Sequence, residues 1–184
     1  MNIQEKTEEN KTYRKIYVAC LSSYNSGILH GKWIILLDDQ LIWDINIDDY
    51  IQKEIDKMLK SSKMPDAEEW AIHDYNNFPN LGEYPSIENI IKVREAQKEH
   101  GINQINAFLN GHSVEDLEHF EDSYSGEYDS FRDYAVELFD ELYLHDVPEH
   151  IQSYIDYDKF ENDCSIDTTA EEAPNNKVYI FRQF

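Results

Sequence analysis

Carboxylates are the chemistry this chain concentrates. Between positions 111 and 172 stand twenty Asp and Glu residues against two basic ones, Arg132 and Lys159, a net of eighteen negative charges in 62 residues. Acids at that density have three uses: paired as general acid and base, gathered around a divalent cation, or displayed as an anionic surface to a basic partner. The charge is local. The whole chain carries −22 from 38 acidic and 16 basic residues, whereas positions 1–60 hold ten acidic residues against eight basic ones.

The first two uses do not find their motifs. Asp156 and Asp158 open like a calcium loop, but Glu161 stands where the sharp turn of an EF-hand needs Gly. Asp116 and His119 form a single acid-x-x-His pair, where a di-iron bundle needs two Glu-x-x-His motifs. Neither a phosphate-binding glycine loop nor a GxSxG elbow occurs. Cys20 and Cys164 lack CxxC spacing, so neither zinc nor a disulfide framework is implied and a reducing compartment is expected. His119 reads as a surface residue, and His30 and His73 read as structural hydrogen-bonders. No catalytic constellation, metal site or cofactor is expected.

The third use fits the charge. A dense anionic field repels nucleic acid and anionic lipid heads and attracts basic surfaces, the largest of which in a cell are the clefts of nucleic-acid-binding proteins. B-DNA carries about one charge per ~1.7 Å of axis, so eighteen charges match on the order of 30 Å, or roughly nine base pairs, if they lie along one face. Disorder is disfavoured, because apolar residues make up 41% and aromatics 13% of the sequence, including 13 Tyr, 8 Phe and 3 Trp.

The elements that must carry these charges follow from periodicity and punctuation. At 184 residues the chain suits several small modules. The first twelve residues are polar, without the apolar core of a signal peptide, and no run approaches the length of a membrane span. A disordered arm over 1–12 and a soluble, cytoplasmic protein are expected. Positions 15–21 (KIYVACL), 32–37 (KWIILL) and 69–74 (EWAIHD) read as strands, with a turn at Asn25-Ser26-Gly27. Ile47, Ile51, Ile55, Met58 and Leu59 recur at helical spacing, predicting a helix over 48–60.

Ser86 is placed to cap a helix that uses Ile87, Ile90, Ile91 and Val93 or Arg94 and stops near Gly101. A second helix is expected over 103–109. Ser113 with Asp116 resembles a capping box for a third. Turn punctuation at 123–126 precedes the clearest helix, where Phe131, Tyr134, Ala135, Leu138, Phe139 and Leu142 form a core-facing stripe. Beside it run Asp133, Glu137, Asp140 and Glu141, a row of like charges whose i, i+4 repulsion costs a few tenths of a kcal/mol per pair. A surface shaped for stability alone would mix its signs. Positions 151–164 read as a further helix and 178–181 (VYIF) as a terminal strand. The division predicted is an α+β module at 13–84, a helical middle module at 85–122 and an acidic α+β module at 123–184. Tyr124, Tyr128 and Phe131 are expected in the core.

Several of these segments resemble a known family. The blocks 17–33 (YVACLSSYNSGILHGKW), 67–75 (AEEWAIHDY), 120–134 (FEDSYSGEYDSFRDY), 154–164 and 178–182 (VYIFR) are similar to those of the ArdA antirestriction proteins of conjugative plasmids and transposons. The resemblance implies an elongated, three-part α+β protein, dimeric through its C-terminal part. It also implies a mimic of bent B-form DNA that occupies the DNA-binding groove of type I restriction-modification enzymes and protects incoming DNA. The family's acidic segment falls on Glu118, Glu121, Asp122, Glu127, Asp129 and Asp133, all acidic here. With Glu115, Glu137, Asp140, Glu141, Asp156 and Asp158 they form the candidate phosphate-mimicking set. The polar arm 1–12 and the apolar stretch 34–45 depart from the family's pattern.

Two other readings stay open on the sequence. In a carboxylate or metal-dependent enzyme, one or two substitutions would abolish activity. An acidic adaptor for another basic protein would show no competition with DNA.

Overall fold

The computed structural model describes residues 13–36 and 46–184. The expected arm at 1–12 and positions 37–45 of the apolar stretch lie outside the described residues. The chain is α+β and forms two compact units, one ending at Ile102 and the other running Asn103–Phe184. The helices expected in the middle module 85–122 are shared between these two units.

In the first unit β1 (Lys15–Cys20), α1 (Leu21–Asn25), β2 (Gly31–Ile35), α2 (Ile47–Lys60), β3 (Trp70–Asn76) and α3 (Ile87–His100) follow in order. The strands form an antiparallel sheet, β2-β1-β3, so β1 is central. Its Ile16, Val18 and Cys20 are fully buried. α2 begins where the Asn46 side chain accepts the Asp48 N–H, and it packs on β1, β2 and α3. The burial of Ile51 and Ile55 on α2 contributes about 2 kcal/mol each. Beside them Glu54 is buried between Lys32 and Lys57. Ser86 caps α3 by accepting the Asn89 N–H at 3.1 Å, and Gly101, at φ +102°, ends it. Both Val93 and Arg94 are buried, the Arg94 guanidinium with them.

The second unit contains α4 (Ile102–Gly111, entering from its first residue), a 3-10 turn (Glu115–His119), α5 (Phe120–Ser123), β4 (Tyr124–Tyr128) and α6 (Phe131–Leu142). Then come α7 (Glu149–Gln152), α8 (Tyr157–Cys164), β5 (Thr168–Ala173) and β6 (Lys177–Arg182). β6 is the central strand of the antiparallel sheet β4-β6-β5. Tyr179, Ile180 and Phe181 are buried in succession, which requires cover on both faces of the sheet. Phe108 of α4 meets Phe181 and Phe120 at ring distances of 5.5 and 5.4 Å.

Four expectations need correction. The stretch 123–126, read as a turn, lies mostly in β4. Gly126 sits at φ +124°, beside a register slip against β6, and Tyr124 and Tyr128 hold the strand by packing on Phe120 and Tyr134. The third middle helix is only a 3-10 turn and one α turn; of the expected box, Asp116 Oδ2 accepts the Ser113 N–H and also the Ser113 hydroxyl, each at 2.8 Å. The helix expected over 151–164 is broken into α7 and α8, since Asp156 caps the second by accepting the Lys159 N–H. β5 (TTAEEA) lies outside the expected strands, because an edge strand with half its positions exposed and only one buried has no apolar alternation. No helix among the described residues is long and apolar enough to cross a membrane.

Candidate functional site

α6 starts at a reciprocal box: Ser130 Oγ accepts the Asp133 N–H at 3.1 Å and donates to Asp133 Oδ2 at 2.5 Å. Tyr134 and Ala135 then turn inward and are buried, while Phe139 meets Tyr157 and Phe160 of α8 at 5.3 and 5.1 Å. Of the apolar stripe only Tyr134 and Ala135 are fully buried; Phe131, Leu138 and Phe139 are half-buried, as are Tyr124 and Tyr128, which were expected in the core with Phe131, and Leu142 is 49% exposed. Seating that stripe leaves Asp133, Glu137 and Glu141 exposed and Asp140 half-buried. These four acids line one shallow groove with Arg132 and Val136.

Arg132 does not neutralise this row by pairing within it. Its guanidinium hydrogen-bonds to Asp158 and lies 3.1 Å from Glu161 Oε2, both on α8, and the bond to Asp158 raises its pKa further. Asp140 accepts the Tyr157 hydroxyl at 2.6 Å, and that bond holds the phenol protonated beyond its usual range. The Tyr128 hydroxyl is likewise pushed up, first by burial and then by the charge of Glu137. Four carboxylates thus line the groove against one guanidinium that is turned to α8.

The remaining candidates are distributed around the unit. Glu127 and Asp129, at the end of β4, share Lys177 of β6 at 3.3 and 3.7 Å. Asp156 and Asp158, which open like a calcium loop, instead begin α8 as its cap and first-turn acid. Glu115 and Glu118 are exposed on the 3-10 turn, and Glu121 and Asp122 are exposed on α5. Of the twelve candidates, then, four share a groove and Glu127, Asp129 and Asp158 are ion-paired. Such exposed pairs are weak in water, so an incoming guanidinium can replace the internal cation.

Two participants were not foreseen. Glu161, which stands where a calcium loop needs glycine, is an Arg132 partner. Lys177 lies outside the acidic window and reaches Glu127 through the pairing of β4 with β6. Neither contact has a signal in local spacing.

His30, His119 and the two cysteines have structural surroundings, whereas His73, expected to be a structural hydrogen-bonder, is exposed with its ring against Tyr24. His30 Nε2 lies 2.8 Å from the Met58 carbonyl oxygen, and the imidazole of His119 stacks on Phe184. Cys20 and Cys164 are free and buried, and burial raises the Cys164 thiol pKa.

No curated protein matches this sequence. The model of the family described as antirestriction protein (ArdA) matches residues 16–178, a span that takes in the described elements from Ile16 of β1 through β5 and the whole acidic row. The chain belongs to the ArdA antirestriction protein family, and its function is antirestriction, directed at restriction enzymes.

Proposed function

We propose that the protein blocks type I restriction-modification enzymes by presenting carboxylates where DNA would present phosphates. The observation that supports this reading is the row Asp133, Glu137, Asp140 and Glu141, displayed on one helix whose only arginine is paired with α8. A row of like charge costs stability within a helix, and a basic cleft converts that cost into attraction. Glu115, Glu118, Glu121, Asp122, Glu127, Asp129, Asp156 and Asp158 extend the anionic surface. The attraction is spread over many groups and is stoichiometric, with no bond made or broken.

In this reading the protein acts in the cytoplasm as a homodimer joined through 123–184, so that two acidic surfaces extend one another and protect incoming mobile DNA. Exposed apolar side chains in that segment, with Leu142 at 49% and Tyr154 at 80%, suit such a contact. The test is competition: purified protein and DNA carrying a type I recognition site are titrated against the methyltransferase core. Mutual exclusion is expected, and independent binding of both would refute the mimicry.

A further inference from the structure

The blocks 17–33 and 67–75 of the sequence meet in the first unit around one cavity of 800 Å³, which the acidic second unit leaves unexplained. Tyr24 of α1, His73, Asp74 and Tyr75 of β3, and Glu83 and Tyr84 of the following loop contribute to its wall. None of its lining residues is Lys or Arg.

The site is built by an irregularity of the sheet. Val18 of β1 faces Ile72 of β3, but Tyr17 faces Asp74, which leaves His73 as the extra residue of a β-bulge. Regular alternation would send His73 and Asp74 to opposite faces, whereas here both are exposed at the cavity. Bulges of this kind recur beside binding sites because they re-aim side chains.

The opposite wall is fastened in place. The Ile72 N–H donates to the Glu83 carbonyl oxygen at 2.9 Å, and the Tyr75 hydroxyl donates to that of Gly82 at 2.5 Å. Burial pushes the Tyr75 phenol up to about 12, so it stays a donor at any physiological pH. Gly82, at φ +84°, donates its N–H to Asn80 Oδ1 at 2.8 Å. The loop is thus held before any ligand arrives.

The exposed chemistry is aromatic and anionic. Tyr24 is 52% and Tyr84 66% exposed, and the Tyr24 ring meets the His73 imidazole edge-on at 4.7 Å. Asp74 and Glu83 have no cationic partner among the described residues. A planar guanidinium satisfies both features, stacking on a phenol and forking to carboxylates, which an ammonium point charge does less well. We infer that this cavity is a binding site for an arginine side chain of a protein partner. The volume leaves room for the flanking peptide. Only the partner's identity rests on the reading above, in which the arginine belongs to the DNA-binding surface of the restriction enzyme.

The test uses the full-length, isotope-labelled protein titrated with N-acetyl-arginine amide, N-acetyl-lysine amide and N-acetyl-citrulline amide, followed by amide chemical shifts. Saturable shifts at His73, Asp74 and Tyr84 are expected with the arginine compound, about threefold weaker binding with lysine and about tenfold weaker with the uncharged citrulline. Asp74→Asn combined with Glu83→Gln should lower arginine affinity about fivefold while the rest of the spectrum is unchanged. Absence of saturable shifts, equal binding of citrulline, or an unaffected double variant would overturn the site. In a restriction assay the same variant, with the acidic second unit intact, should inhibit about threefold less well. Unchanged inhibition after loss of arginine binding would overturn the assignment of that arginine to the restriction enzyme. Failure of wild-type protein to compete with DNA, with the cavity titration normal, would count against the mimicry alone.

Discussion

The Tyr157 hydroxyl of α8 donates to Oδ1 of Asp140 on α6 at 2.6 Å, so one member of the acidic row is also a structural acceptor. Glu137, which faces the Tyr128 hydroxyl, and Glu141 line the same groove. Tyr157→Phe should therefore cost about 0.5–1 kcal/mol of unfolding free energy, small because the pair is largely solvated. Urea denaturation at pH 7 measures this, and inhibition of restriction should stay within about twofold of wild type.

Spread attraction and a localised site respond differently to substitution. Asp133→Asn, Glu137→Gln, Asp140→Asn and Glu141→Gln should each weaken inhibition by only about two- to threefold, and all four together by about thirtyfold or more. The dependence of log affinity on log salt should become shallower by about one for each lost contact. Titration of the enzyme at several salt concentrations checks both. Complete loss from a single substitution would point instead to a carboxylate enzyme.

Glu54 gives a pH signature in the first unit. Burial disfavours its charged form, but hydrogen bonds from Lys32 and Lys57, the latter at 2.5 Å, outweigh this and hold its pKa below the ordinary carboxylate range. A depressed native pKa adds stability that is complete above the unfolded value and is lost as pH falls through the native one. Glu54→Gln should thus destabilise by about 1–3 kcal/mol at pH 7. The difference from wild type should shrink below about pH 4.5. Chemical denaturation at pH 7 and pH 3.5 measures it.

Gly31 opens β2 opposite Ala19, where a Cβ would stand 2.7 Å from the Val18 carbonyl oxygen and 2.7 Å from the Tyr17 ring. The side chain could swing away, but the backbone oxygen belongs to the central strand. Gly31→Ala should cost about 2 kcal/mol or more and lower the melting temperature accordingly. Gly27→Ala, with φ +75° and open space around it, tests backbone strain instead, at about 1 kcal/mol.

Local signals marked the helices well. α2, α3 and α6 begin at Asn46, Ser86 and Ser130 and end within a residue or two of the expected positions, because amphipathic spacing and caps act between neighbours. Where a distant strand or helix decides, the same signals mislead. Gly126 reads as a turn until β6 pairs with it, and TTAEEA has no period to read because β5 lies at the sheet edge.

By itself the sequence determined the sign, density and location of the charge, the family blocks and the helix that bears Asp133, Glu137, Asp140 and Glu141. Charge is a sum over residue types and helical facing is a local period, so neither needs the fold. Only the tertiary structure decided which acids already hold a cation from within the protein. Arg132 reaches across 26 residues to Asp158, and Lys177 reaches Glu127 through strand pairing. It also brought Tyr24, Asp74 and Glu83 to one cavity. Such contacts depend on sheet register and on how α8 seats against α6, set by burial of Tyr179 and Phe181 and by the packing of half-buried Phe139 on Phe160.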